Sequence, residues 1–227
     1  MNIAIDGPGG SGKSVLAKNL ARGIGLTYVD TGALYRTVGL AVMRRGIEKT
    51  DTAGIISSLS EIRVEMKHED GAQKVLLSGE DVTDKIRTPE VSMYASAVSA
   101  VPEVRAFLKE LQLDMVRAGG VVMDGRDIGT VIMPDADVKI FLFANPKDRA
   151  ERRYEELAAK GMKVTLDEVL SDMNERDNND ATRAEAPAVP AADAVMLDNS
   201  GFVEADTYAA AVRIINEKTG ESFDERL

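Results

Sequence analysis

Among its 227 residues the chain has no cysteine, and it has one histidine. Without cysteine it can form neither a disulfide framework nor a metal site built from thiolates. Its apolar residues form no unbroken run of membrane-spanning length, and residues 1–5 are too short for a signal peptide. We therefore expect a cytoplasmic protein that does not bind a membrane.

Basic charge is also scarce, because 28 lysines and arginines stand against 38 aspartates and glutamates, a net charge of −10. This excess of acid argues against binding to nucleic-acid polymers. Small phosphorylated substrates stay possible, because arginines gathered in one cleft determine the local field there. The remaining composition, 44% hydrophobic and 29% charged, is typical of a globular protein.

A glycine-rich segment near the start matches the phosphate-binding pattern G-x-x-x-x-G-K-[ST]. Residues 2–5 predict a buried strand before it, and apolar residues at helical spacing over 16–24 predict a helix after it. In this setting the loop turns its N–H groups around a triphosphate, and the helix points its positive end at the same place. Lys13 would reach the β- and γ-phosphates, and the Ser14 hydroxyl would join the shell of a Mg²⁺ ion.

Strand and helix patterns alternate along most of the chain. Strands are predicted at 27–30, 120–124, 138–143 and 194–197, and helices at 33–45, 52–59, 90–100, 102–117, 146–160, 166–177 and 203–217. This order predicts an α/β fold, a parallel sheet with helices on both faces. Residues 62–82 alternate in polarity around Asp70-Gly71, a hairpin-turn signal, and predict a small antiparallel insert.

A second phosphate site is indicated after the strand at 27–30. Asp30-Thr31-Gly32 follows that strand directly, and Arg36 lies on the next helix. The hydroxyl of Thr31 and the guanidinium of Arg36 could hold a phosphate there, although Arg36 could also be a solvated helix residue. The letters D-T-G occur in aspartic proteases too, but those need two carboxylates on an all-β scaffold.

Asp124 ends a predicted strand and is followed by Gly125, Arg126 and Asp127. An acid at this place orients Mg²⁺ in phosphate-loop proteins, directly or through water. Arg126 would face the phosphates, and Asp127 could hydrogen-bond a base or a sugar. The alternative is a turn whose charges cap the next element.

Three arginines, Arg149, Arg152 and Arg153, lie near the start of the helix predicted at 146–160. Positive charge opposes the helix dipole there, so helix stability does not explain them. A mobile arginine lid over transferring phosphates does explain them, and a salt-bridged surface helix is the alternative.

One more polar cluster contains Arg176, Asp180 and Arg183, spaced four and three residues apart. On a helix these side chains share one face. Two arginines beside a carboxylate could clamp a ribose and a phosphate, and a solvated face is the other reading.

Taken together and in this order, these segments resemble bacterial-type cytidylate kinase, a P-loop nucleoside monophosphate kinase, over essentially the whole chain. The segments that carry the resemblance are residues 6–14, 30–36, 86–91, 124–130 and 175–177, with Asp180 and Arg183. The resemblance implies an enzyme that uses ATP, with Mg²⁺, to phosphorylate CMP and dCMP in pyrimidine nucleotide metabolism. We expect this enzyme to be a monomer. It also implies one kinase domain over 1–227, with a monophosphate-binding insert at about 60–90 and a helical lid at about 149–165.

The resemblance assigns roles to single residues as well. It implies that ATP is bound by Gly7, Pro8, Gly9, Gly10, Ser11, Gly12, Lys13, Ser14 and Val15. It implies that CMP is bound by Thr31, Arg36, Ser96, Arg105, Asp124, Arg126, Asp127, Arg176, Asp180 and Arg183. Catalysis would fall to Lys13, Arg126, Arg152 and Arg183, and the metal to Ser14, with Asp124 through water.

Two other functions fit a phosphate loop. One is a kinase with another acceptor: UMP, AMP or a small metabolite such as shikimate. An arginine and a carboxylate that read a base edge favour a nucleotide over a sugar acid. The other is a nucleotide-binding switch, which needs the guanine-reading motif N-K-x-D; residues 145–148 miss it, because Pro146 stands where the lysine should be.

Overall fold

The computed structural model describes residues 1–69, 72–159 and 161–227. The turn predicted at Asp70-Gly71 lies outside the described residues. The chain divides into two compact units. The first unit comprises Met1–Tyr28 and Gly119–Leu227, and the second comprises Val29–Ala118.

The elements follow the alternation that the sequence predicts. The strands are β1 (Ile3–Asp6), β2 (Thr27–Asp30), β3 (Val64–Glu69), β4 (Ala72–Leu77), β5 (Glu80–Asp81), β6 (Val121–Gly125), β7 (Val138–Phe143) and β8 (Val195–Asp198). The α-helices are α1 (Lys13–Ile24), α2 (Thr31–Arg44), α3 (Thr52–Ser58), α4 (Pro89–Ser99), α5 (Pro102–Ala118), α6 (Pro146–Ala159), α7 (Leu166–Thr182) and α8 (Glu204–Thr219).

The main sheet has the strand order β2-β6-β1-β7-β8. Strand β1 pairs in parallel with β6 and with β7, so that Ile5 lies beside Asp124 on one side and Ile140 on the other. Apolar side chains of this sheet pack with those of α1 and α8 in one core. The predicted α/β class is confirmed. Because parallel strands end at one edge, the carboxyl ends of β1 and β6 bring the glycine-rich loop and Asp124 together.

The second unit has its own core and its own small sheet. Strands β3, β4 and β5 pair antiparallel in that order, which confirms the small antiparallel sheet. Helices α2 and α4 cross closely at Gly39, where an added Cβ would lie 2.8 Å from the backbone nitrogen of Ala95. Leu34, Val75 and Val98 belong to one buried cluster that joins these helices to β4.

Two local features differ from the sequence prediction. Helix α7 runs to Thr182 rather than ending at 177, because buried Asp180 has arginine partners that keep this polar stretch helical. Residues Ile128–Ile132 form a π-helical turn that the pattern does not indicate. Within the described ranges, no helix is both long and apolar enough to cross a membrane.

Candidate active site

The glycine-rich loop, Gly7–Ser14, connects β1 to α1 and needs glycine at two points of close contact. Gly7 has φ +147°, and a Cβ there would lie 2.0 Å from the carbonyl oxygen of Leu142. Gly10 has φ +71°, and its Cβ would lie 2.8 Å from Met173 Cε and 3.0 Å from the carbonyl oxygen of Arg149. At both positions the backbone has a positive φ that other residues rarely adopt, and a Cβ atom would clash with neighbouring atoms, so glycine is required.

Lys13 is the first residue of α1, and its ammonium group turns back over the loop. Its Nζ donates to the carbonyl oxygen of Pro8 at 2.6 Å and lies 3.4 Å from Ser11 Oγ. Burial lowers the pKa of Lys13 below its ordinary value, and the charge of Arg126 lowers it further, against the opposing charge of Asp124. The lysine is thus poised where added negative charge would stabilise its protonated form.

A hydroxyl and a carboxylate lie side by side next to the loop. Ser14 Oγ donates to Asp124 Oδ2 at 2.8 Å, and the hydroxyl of Tyr28 donates to Asp124 Oδ1 at 2.9 Å. Asp124 is buried, whereas Ser14 is exposed to solvent. Oxygen donors of this kind suit a hard divalent cation such as Mg²⁺. The sequence indicated Ser14 and Asp124, but it did not indicate Tyr28 as the residue that orients the carboxylate.

Arginines and carboxylates of the predicted acceptor site form one network in the first unit. Arg126 Nε donates to Asp180 Oδ2 at 2.9 Å, and Arg176 Nε lies 3.9 Å from the same oxygen. Arg183 donates to Asp127 Oδ1 at 3.3 Å and lies 3.9 Å from Asp180 Oδ1. Arg126 and Asp127 lie in the turn after β6, Arg176 and Asp180 lie in the last two turns of α7, and Arg183 caps that helix. The extension of α7 beyond 177 therefore helps to assemble the network.

The network controls the charge of Asp180. Burial alone would raise the pKa of this carboxyl group, but the charges of Arg126 and Arg176, the hydrogen bond from Arg126 and the charge of Arg183 outweigh it. The pKa of Asp180 therefore lies below its ordinary value. Three arginines beside two carboxylates leave a net positive charge, which suits an anionic ligand.

The α6 arginines are not equivalent. Arg149 is 5% exposed, and its guanidinium donates to the carbonyl oxygens of Ala144 and Gly9 and to Asp177. Arg152 donates to the carbonyl oxygen of Asn199 at 2.9 Å. Arg149 thus holds the glycine-rich loop from beside it, in place of the mobile lid contact expected from the sequence.

The second unit holds a smaller cluster around Asp30. This carboxylate caps α2 by accepting from the backbone nitrogen of Ala33 at 3.0 Å. Arg87 donates to Asp30 Oδ2 at 3.0 Å, and Arg36 lies 4.0 Å from the same oxygen. Thr31 is buried beside them at the start of the helix. Arg87 was not among the predicted site residues, although it lies within the segment 86–91 that carries the family resemblance.

Ser96 and Arg105 are also close in the second unit. Both contact Ser99: its hydroxyl donates to the carbonyl oxygen of Ser96 at 2.8 Å, and its own carbonyl oxygen accepts from Arg105 at 3.4 Å. The Arg105 guanidinium lies 5.5 Å from the centre of the Tyr35 ring, within range of a cation–π contact. A buried arginine held against an aromatic ring is preorganised for directional hydrogen bonding.

The glycine-rich loop lies between a buried strand and a helix, at the edge of a parallel sheet, and the adjacent strand carries a carboxylate. This arrangement defines a P-loop kinase. A family model described as cytidylate kinase matches residues 3–217 of the chain. The chain therefore belongs to the cytidylate kinase family.

Known relatives agree with this assignment. A cytidylate kinase of Pelotomaculum thermopropionicum is 50% identical over 202 residues, which cover 88% of this chain and 89% of that protein. A cytidylate kinase of Carboxydothermus hydrogenoformans is 45% identical over 218 residues, 96% of this chain and 98% of that protein. An uncharacterized protein from Eubacterium ventriosum has a crystal structure with a TM-score of 0.55 over 97% of this chain and 99% of that chain, at 14% identity, which is a likeness of fold alone.

Proposed function

We propose that this protein transfers the γ-phosphoryl group of ATP to the phosphate of CMP or dCMP, and releases ADP with CDP or dCDP. Membership of the cytidylate kinase family over residues 3–217 carries this proposal. The loop that ends in Lys13 and Ser14 supports it, because that loop suits a nucleoside triphosphate.

The triphosphate of ATP would lie against the loop and the first turn of α1. Lys13 would exchange its bond to the carbonyl oxygen of Pro8 for contacts with the β- and γ-phosphates. A cleft of about 160 Å³ beside the loop, lined partly by Val15, Arg152 and Phe202, offers apolar surface to the adenine. Bases stack well on such surfaces.

The monophosphate nucleotide would be recognised by the residues that the family resemblance assigns. In the first unit, Arg126 and Arg183 would bind its phosphate, Arg176 and Asp180 its sugar, and Asp127 its base. In the second unit, Arg36 and Thr31 would bind the phosphate, and Ser96 and Arg105 the cytosine. Arg87 is added to this set because it shares the Asp30 carboxylate with Arg36.

Mg²⁺ would be held by Ser14, with Asp124 directly or through water, and would neutralise phosphate charge when bound. The protein's own contribution is alignment and electrostatic stabilisation, which dominate phosphoryl transfer. Lys13, Arg126, Arg152 and Arg183 would stabilise the negative charge that grows on the transferring group, as catalytic residues. A dry site also prevents water from replacing the acceptor.

One coupled assay of ADP formation tests the proposal. CMP, dCMP, UMP, AMP and no acceptor are compared at equal concentration. We expect turnover with CMP and dCMP at least about 10²-fold above that with UMP or AMP, because a site that hydrogen-bonds one base edge leaves buried polar groups unpaired with another. Equal turnover with all acceptors, or turnover without any, would contradict the proposal. The monomeric state and the cytoplasmic location stay predictions.

A further inference from the structure

The glycine-rich loop is held from outside by side chains that the phosphate-binding pattern does not include. Asp177 Oδ1 accepts from the backbone nitrogen of Gly9 at 3.1 Å, and Arg149 donates to the carbonyl oxygen of Gly9 at 2.8 Å. Arg149 also donates to Asp177 Oδ2, so the pair contacts both peptide groups of one residue. At a second point, Asn199 Nδ2 donates to the carbonyl oxygen of Ser11 at 3.0 Å. We call Arg149, Asp177 and Asn199 the loop brace.

These contacts determine where the N–H groups of the loop point. In a trans peptide unit the C=O and the following N–H point in opposite directions. Because the brace holds the carbonyls of Gly9 and Ser11, the N–H groups of Gly10 and Gly12 are directed away from it. The carbonyl of Pro8 faces the other way, toward Lys13. The peptide planes of the loop therefore alternate in a way that the brace maintains.

A loop rich in glycine would otherwise not keep such an arrangement. Gly10 and Gly12 have φ of +71° and +91°, and glycine loses more conformational freedom on ordering than any other residue. Arg149 and Asn199 are 5% and 3% exposed, so their bonds to the loop are shielded from water. The brace reaches the loop from three distant elements: α6, α7 and the segment after β8.

We propose that Arg149, Asp177 and Asn199 are positioning residues that preorganise the loop for the triphosphate of ATP. Asp177 accepts from the N–H of the Pro8–Gly9 peptide, whose carbonyl oxygen accepts from Lys13 at the opposite end. The three residues raise affinity by fixing the loop's donors before ATP arrives. This inference rests on the proposed function in one respect: it takes the loop ligand to be a polyphosphate.

Electrostatics makes Asp177 the decisive position. Removal of a carboxylate near an anion site strengthens anion binding by Coulomb's law alone. If Asp177 positions the loop, Asp177→Ala instead weakens binding, despite the lost negative charge. We expect the Kd of inorganic tripolyphosphate and of a non-hydrolysable ATP analogue to rise about tenfold, the usual effect of losing a hydrogen bond to a charged group. The Kd of CMP should change less than about twofold.

Asp177→Asn keeps an acceptor for the Gly9 N–H and should recover part of the lost affinity. Asn199→Leu removes the second brace contact without any change of charge, and it should also raise the Kd of tripolyphosphate. A matched control is Asp193→Ala, which removes the carboxylate partner of buried Lys139 but no contact to the loop. Asp193→Ala should lower the melting temperature about as much as the brace variants do, and leave the Kd of tripolyphosphate unchanged.

Calorimetric titrations at a temperature where every variant is folded give the answer. Unchanged or tighter tripolyphosphate binding in Asp177→Ala and Asn199→Leu, with a lowered melting temperature, would mean that these residues only stabilise the fold, and would overturn the inference. Equal weakening of CMP and tripolyphosphate would overturn it too. The coupled assay on the wild type tests the proposed function separately. If the wild type phosphorylates CMP but both variants bind tripolyphosphate as the wild type does, the proposed function stands and only the role of the loop brace is contradicted.

Discussion

Lys13 is a buried cation whose charge serves ligand binding more than folding. We predict that Lys13→Met lowers kcat roughly 10²–10³-fold, by analogy with the loss of one preorganised donor to a developing negative charge. Burial already disfavours the charge of Lys13, as its lowered pKa shows, so an apolar side chain of similar length removes that cost and the melting temperature should not fall. Steady-state kinetics and a thermal melt check both parts, and unchanged turnover would contradict the assigned role.

Asp6, the last residue of β1, is another buried ionisable group close to the loop. Burial raises its pKa from 3.8 to about 6, against the hydrogen bonds that it accepts from the backbone of Gly129 and Ile128; the charge of Asp127 raises it further, and that of Lys13 lowers it. The folded state therefore holds this proton more tightly than the unfolded state. The contribution of Asp6 to stability is present below about pH 4 and is lost as the pH rises to about 6.

Asp6→Asn tests this directly, because asparagine does not titrate. We predict that the free energy of unfolding of the wild type, relative to the variant, falls by up to about 3 kcal/mol between pH 4 and pH 6, and is constant above. Urea denaturation of both proteins at a series of pH values measures the difference. A difference that rises with pH in this window would mean that the hydrogen bonds, and not burial, dominate.

At the scale of elements, α7 connects the predicted lid to the acceptor network. It begins with a capping box, in which Thr165 Oγ1 accepts from the backbone nitrogen of Glu168 and the Glu168 carboxylate accepts from the backbone nitrogen of Thr165. Its other end carries Arg176 and Asp180. Because a cap acts within the first turn, the two ends of the helix are separable by mutation.

We predict that Thr165→Ala lowers the free energy of unfolding by about 1 kcal/mol, the usual cost of losing such a cap. The Kd of CMP should stay the same, because the cap lies three turns from the network. Thr88→Ala, which removes the cap of α4, is the control for a cap in the second unit. Weakened CMP binding in Thr165→Ala alone would show that fraying spreads along the whole helix.

At the scale of the whole molecule, we propose that two segments become ordered around the substrates: the insert at about 60–90 and the lid at about 149–165. Ala150, Leu157 and Val169 form an apolar cluster that joins α6 to α7, with Met162 and Val164 packed on it. Ordering of the lid would therefore involve the end of α6 and the start of α7 together, while Arg149 and Asp177 keep their contacts with the glycine-rich loop.

Hydrogen exchange with CMP and a non-hydrolysable ATP analogue measures this ordering. We predict increased protection over 60–90 and 149–165, and little change in the central strands over 121–123 and 138–143. The strands act as an internal control, because their amides are already bonded in the parallel sheet. The same protection in the free and doubly liganded protein would contradict the predicted ordering.

Local sequence determined the glycine-rich loop, the α/β class and the family of this protein. The run from Gly7 to Ser14 specifies its own loop, because glycine and the strand and helix around it act over a few residues. The α/β order follows from periodicity, and the family follows from motifs whose order along the chain is itself specific. Pro146 at the start of α6 was likewise readable, since proline suits a first helical turn.

Tertiary structure alone decided which side chains support those motifs. Arg149, Arg152 and Arg153 look alike in sequence, yet Arg149 is buried against Gly9 while Arg153 pairs with Glu156 on the surface of α6. The bonds from the loop to Asp177 and Asn199 span 168 and 188 residues. No local pattern encodes such pairs, because they exist only after the helices have packed and water has been excluded from between them.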